Sequence, residues 1–200
     1  MRRMRSLLLS CVVILTACAS QAPPPADPPA PKPAASAATA APAKPAVEMA
    51  PTPYTAAEIR DACPVGRRIV FRIEQKDQPV VKHVIEFLKN DATGTDMRIT
   101  ETDESGKVLK SKDSHATWEE LLTHAQFPKE RTTITHRTSV HPLGTLDVLV
   151  YKVTEGEGPG AEVTTYHFAK KMPGPPVTHF TEKNGVRIRS GTMESSTTPK

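Results

Sequence analysis

Hydrophobic and polar residues alternate through most of the chain beyond Tyr54, in short blocks separated by turn-forming residues. Thr55-Ala56-Ala57-Glu58 has the spacing of a capping box, so a short helix is expected after Thr55, ended by Pro64 and Gly66. Ile69, Phe71 and Ile73 then alternate with Arg68, Arg72 and Glu74 in a first strand. Val80–Lys89, Thr95–Thr102 and a weaker Lys107–Lys112 follow, joined through Asp77-Gln78-Pro79, Asn90–Gly94 and Ser105-Gly106. Thr117-Trp118-Glu119-Glu120 repeats the capping-box spacing, and Trp118, Leu121, Leu122 and Ala125 recur at helical intervals before Pro128. Five more strands are predicted at Arg131–Val140, Thr145–Thr154, Ala161–Lys170, Val177–Glu182 and Val186–Met193. Asn184-Gly185 before the last is a type I′ hairpin signal. The expected fold is mainly β: a curled antiparallel meander of about nine strands, a partial barrel, with two short helices.

Two of these strands are apolar on both faces: one carries Val80, Val81, Val84, Ile85, Phe87 and Leu88, the other Leu146, Val148, Leu149, Val150, Tyr151 and Val153. Such strands need cover on both sides. Nine strands at about 4.8 Å spacing make a sheet roughly 40 Å wide, whereas a helix of eight residues is about 12 Å long. The helices are too small to cover the sheet. It must curl on itself or leave an apolar concavity, in which case Trp118, Leu121 and Leu122 are the expected ligand-facing residues.

Composition divides the chain. It has 200 residues with 20 prolines and 10 glycines, and aromatic residues make up 4%. Ala19–Pro53 is almost wholly alanine and proline, without an aromatic residue. Such a segment is expected to be a disordered tether, because it has too little apolar surface to offset the entropy of ordering. At about 3.1 Å per residue in polyproline II form, its fully extended limit is on the order of 100 Å. The expected boundaries are 1–17 for an export signal, 18–53 for an anchor and tether, 54–194 for one globular domain and 195–200 for a disordered tail.

The N-terminus carries the most specific motif. Arg2, Arg3 and Arg5 form a basic head, and Leu7–Leu15 an apolar run too short to span a bilayer. Leu15-Thr16-Ala17-Cys18 resembles the lipobox of bacterial lipoprotein signal peptides. The resemblance implies cleavage before Cys18 and lipid attachment at its thiol, with more than one acyl chain giving a stable membrane anchor. Cys11 follows a similar but poorer string, Leu8-Leu9-Ser10, with little apolar run before it. Ala19 after the anchor cysteine favours an outer-membrane location facing the periplasm.

Processing also changes the charge picture. The net charge of +4 falls to about +1 once Arg2, Arg3 and Arg5 leave, since three fewer than 26 basic residues then face 22 acidic ones. Neither charge nor motif then supports nucleic-acid binding. Of the three cysteines only Cys63 would remain in the folded region, so no intramolecular disulfide is expected. Placed at a helix end, it reads as a partly buried structural thiol.

His141-Pro142-Leu143-Gly144-Thr145 with the strand after it, and Tyr166–Val177, resemble the last third of certain β-rich bacterial envelope lipoproteins. That implies a meandering antiparallel sheet and brings no activity. At the level of architecture, the curled sheet is also similar to lipoprotein-localisation carriers, whose half-barrels hold acyl chains.

Catalytic and metal-binding patterns are not found. The seven histidines include no His-x-x-x-His pair, and His136 and His141 are five residues apart. Asp113-Ser114-His115 lacks a nucleophile elbow, and Ser114 reads as a turn or cap residue. Glu101, Asp103, Glu104, Glu119 and Glu120 read as a solvated face or helix start. Arg68, Arg72, Lys82, Arg98, Arg187 and Arg189 could form a basic stripe, but their acidic neighbours suggest an ordinary solvated face. The expected function is therefore a non-enzymatic, lipid-anchored envelope protein without cofactor or metal, whose domain binds an envelope partner or serves structurally. The alternative is a carrier or sensor of a hydrophobic molecule such as a lipid.

Overall fold

The computed structural model describes residues 47–199. Helix α1 (Ala56–Ala62) is followed by strands β1 (Arg68–Gln75), β2 (Val81–Asn90), β3 (Gly94–Asp103) and β4 (Val108–Thr117). Helix α2 (Trp118–Thr123) leads to β5 (Thr132–His141), β6 (Gly144–Glu155), β7 (Glu162–Ala169), β8 (Thr178–Lys183) and β9 (Val186–Thr197). Both helices start where a capping box places them. The Thr55 and Thr117 hydroxyls accept from the third helical amides, while Glu58 and Glu120 reach back to the cap backbone. Each cap removes an orphan donor and is worth about 1 kcal/mol.

All strands join one open antiparallel sheet in the order β4-β3-β2-β1-β9-β8-β7-β6-β5. It is two meanders joined where the first strand pairs with the last. The chain leaves the sheet at edge strand β4 and returns at the opposite edge, β5, so α2 and the turn Lys129–Arg131 connect the two margins. Register shifts at Val70/Phe71, Phe87/Lys89, Glu101/Thr102 and Thr181/Glu182 mark bulges, which bend and twist the strands that carry them. The expected curled, partly closed sheet of nine strands with two short helices is the fold observed.

Ile69, Phe71 and Ile73 share one face of β1 with their cross-strand partners Ile85, His83 and Val81. Over β6 and β7 the core is aromatic. Tyr151 and Tyr54 meet Phe168 edge-on at 5.3 and 6.0 Å, and Phe127 stacks on Tyr166 at 4.9 Å. Tyr54 donates its hydroxyl proton to the Ala169 carbonyl (2.6 Å) and Tyr151 to that of Pro51 (2.8 Å), so the buried hydroxyls are satisfied.

Two expectations need correction. The folded unit is wider than 54–194. Met49 bridges Pro128, the Ala50 amide donates to Phe127 O (2.8 Å), and β9 runs to Thr197. Backbone pairing holds Met49 and Ala50 in place despite the proline-rich sequence around them. Ser114 is neither turn nor cap; it lies in β4 opposite Met97. This stretch hid its strand character because its cross-strand contacts are polar. Arg98 grips Asp113 at 2.8 and 3.0 Å, and His115 meets Asp96 at 2.8 Å. Residues 1–46, which include the expected signal, Cys18 and most of the tether, lie outside the described residues.

Candidate ligand-binding groove

The concave face of the sheet is not completely filled. Between the sheet floor and the helices lies an apolar cleft of about 270 Å³. Ile69 of β1, Ile85 and Phe87 of β2, Met97 of β3 and Phe168 of β7 line it from the sheet. Ile59 and Cys63 close it from the α1 side, Leu121 and Ala125 from the α2 side, and Gly174-Pro175-Pro176 from the loop before β8. Its lining is almost wholly carbon, as expected of a site that takes an apolar group.

A buried arginine fixes one wall. Arg67 donates from Nη1 to Ala62 O (2.7 Å), Pro173 O (3.2 Å) and Cys63 Sγ (3.2 Å), and from Nε to Ser196 Oγ (3.2 Å). It thereby ties the end of α1, the 173–176 loop and β9 together. Its partners are carbonyls, a thiol and a hydroxyl, with no carboxylate among them. Gly174 (φ 130°) passes close to this cluster in a conformation that favours glycine. Burial pushes the Cys63 thiol above its ordinary pKa, partly offset by Arg67. Cys63 is a free, buried thiol.

The cleft opens into a second recess of about 470 Å³, with Ile85, Ile99, His124, Pro175 and Pro176 lining both. The character of the floor changes there. Along β2 it passes from Phe87 and Ile85 to His83, along β7 from Phe168 and Tyr166 to Thr164, and along β9 from Met193 through Gly191 to Arg189. Each passage takes four residues, about 13 Å of strand. His179 of β8 stacks on Tyr166 at 6.3 Å, and on its other side it overlies Gly191, where any Cβ would collide with the imidazole. Burial, together with the charges of Arg189 and His83, lowers the His179 pKa to about 4, so the ring is neutral at pH 7. Glu101 Oε2 lies 3.3 Å from His83 Nε2.

The structure separates the residues expected to face a ligand. Leu121 lines the cleft, whereas Leu122 packs on the core without lining it. Trp118 is buried and lines a different recess, beside α1, with its indole Nε1 donating to Asp91 O at 3.0 Å. The expected basic stripe divides as well. Arg72 pairs with Glu74 and Glu104, Arg98 with Asp113 and Lys82 with Glu194, while Arg187 lies over the Phe180 ring. Arg189 alone of the six lines the groove. Sequence reading missed His83, His179 and Arg67; their only early signal was a polar residue at an inward position of an otherwise apolar alternation. Among the described residues, no group of three or more acidic, His or Cys side chains could hold a metal ion, and no helix is long and apolar enough to cross a membrane.

No protein-family model and no curated protein matches the chain. Among solved structures it is similar to a protein provisionally described as exported, with a YmcC-like fold, from Bacteroides fragilis. That match has a TM-score of 0.44 and 10% identity, covering 68% of this chain and 97% of the other. It is also similar to a protein provisionally described as a lipoprotein, from Parabacteroides distasonis, with a TM-score of 0.45 and 10% identity over 68% of this chain and 96% of the other.

Proposed function

We propose that this chain is a lipid-anchored protein of the bacterial cell envelope, held at Cys18 and facing the periplasm from the outer membrane. Its half-barrel binds the apolar part of a small ligand without carrying out a reaction on it. The observation that carries the binding role is the carbon-lined cleft left open between the sheet and its two helices. A domain that curled only to bury its own strands would fill that space with side chains, because protein interiors pack to crystal-like density. Support for the anchor comes from the Leu15–Cys18 string after a basic head and an apolar run. The long alanine- and proline-rich segment fits a spacer that lets the domain work away from its lipid.

The polypeptide from Ala19 to Lys200, produced without its lipid and without a tag, tests the binding role. Organic extraction followed by mass spectrometry is expected to release an apolar compound near one per chain, and the emptied protein is expected to bind a fluorescent acyl probe saturably. No extracted compound and no probe binding would refute the role.

A further inference from the structure

The groove is apolar at one end and basic at the other. The deep end is the carbon-lined cleft, and the outer recess brings His83 of β2 together with His179 and Arg189 of the β8–β9 hairpin, about a hundred residues further along the chain. Among the described residues no carboxylate lines that recess, and Arg189 makes no ion pair or side-chain hydrogen bond. Two acids lie near its rim: Glu101 sits 3.3 Å from His83, and Glu155 acts through space on Tyr166. The strand register also puts Lys110 and Lys112 of β4 on the same side as Glu101 and Ile99, with neither lysine in an ion pair among the described residues. An exposed, unpaired guanidinium at the mouth of an apolar slot costs little while the slot is empty, and it offers a forked donor to an anion that the slot brings to it.

We propose that the groove takes a single-chain amphiphile tail first, its hydrocarbon in the cleft and its anionic head, a carboxylate or phosphate, at Arg189 with His83 and His179 beside it. This rests on the reading of the cleft as a site for an apolar group and adds the chemistry of the head. The imidazole of His179 is held in place by Tyr166 on one side and the Gly191 backbone on the other, so its ring nitrogens have a fixed direction. It acts as a neutral hydrogen-bonding group, while Arg189 supplies the charge.

Titration calorimetry on the Ala19–Lys200 polypeptide at low salt, with three surfactants of equal chain length below their micelle concentrations, tests this. Dodecyl phosphate is expected to bind roughly tenfold more tightly than dodecyldimethylamine oxide, as a charge-assisted hydrogen bond allows. Dodecyltrimethylammonium is expected to bind more weakly than either. Arg189→Ala, a surface change whose folding is checked by circular dichroism, is expected to remove the preference for phosphate and to weaken amine oxide binding far less than phosphate binding. Equal binding of all three, or a phosphate preference that survives Arg189→Ala, would overturn the head assignment and leave the apolar site standing. Failure of all three to bind would overturn both.

Discussion

Acidification should weaken this fold through His179 in a way that can be measured and assigned. The ring is packed between Tyr166 and the Gly191 backbone and sits near two basic groups, which together bring its pKa from 6.5 to about 4. The unfolded chain, with an ordinary imidazole, therefore binds more protons than the native state throughout that interval. Stability must fall as pH is lowered through it. From about pH 8 to about pH 5 the linked loss is about 2 kcal/mol for this one group, approaching about 3 kcal/mol below pH 4. Urea denaturation across that range, for the wild type and for His179→Gln, reads it directly. The glutamine variant keeps a polar planar side chain but has no proton to gain. The wild-type stability curve should descend more steeply, the gap between the curves changing by about 2 kcal/mol over those three pH units. Parallel curves would refute the reasoning, since they would mean that His179 titrates alike in both states.

Three other outcomes are expected. Trp118→Ala should cost about 3–5 kcal/mol in urea denaturation, because it removes a buried indole and leaves the Asp91 carbonyl without its donor; a loss under 1 kcal/mol would contradict this packing. Cys63 should react with a thiol reagent only as fast as the native protein opens, and fast modification in native buffer would contradict its burial. Gly191→Ala should lower the thermal midpoint and shift the His179 ring resonances in an NMR spectrum, whereas unchanged resonances would show that the ring does not rest on that backbone.

Local rules made much of the fold legible. Two capping boxes located α1 and α2, and Asn184-Gly185 located the β8–β9 hairpin, where both residues take positive φ, 52° and 73°. Alternation found every strand to within a few residues except β4, whose polar cross-strand pairs carry no hydropathy signal. Pairing of β1 with β9 was not legible, because nothing local distinguishes it from a continuous meander. The groove was half legible. Strands apolar on both faces required either curling or a concavity, and the structure has both. Its basic end was hidden because His83 joins His179 and Arg189, which share the β8–β9 hairpin, only once β1 pairs with β9 and brings β2 alongside. Helical spacing grouped Leu121 with Trp118 and could not tell that Leu121 lines the cleft while the fold turns Trp118 toward α1.

The most direct measurement of the central claim is to ask where an acyl chain goes. A fatty acid carrying a photoreactive diazirine on its tail, equilibrated with the Ala19–Lys200 polypeptide and irradiated, should label peptides bearing Ile69, Phe87, Met97 and Leu121, and excess unlabelled fatty acid should suppress the labelling. Labels spread over the exposed outer face of the sheet, or labelling that competitor does not reduce, would contradict the account.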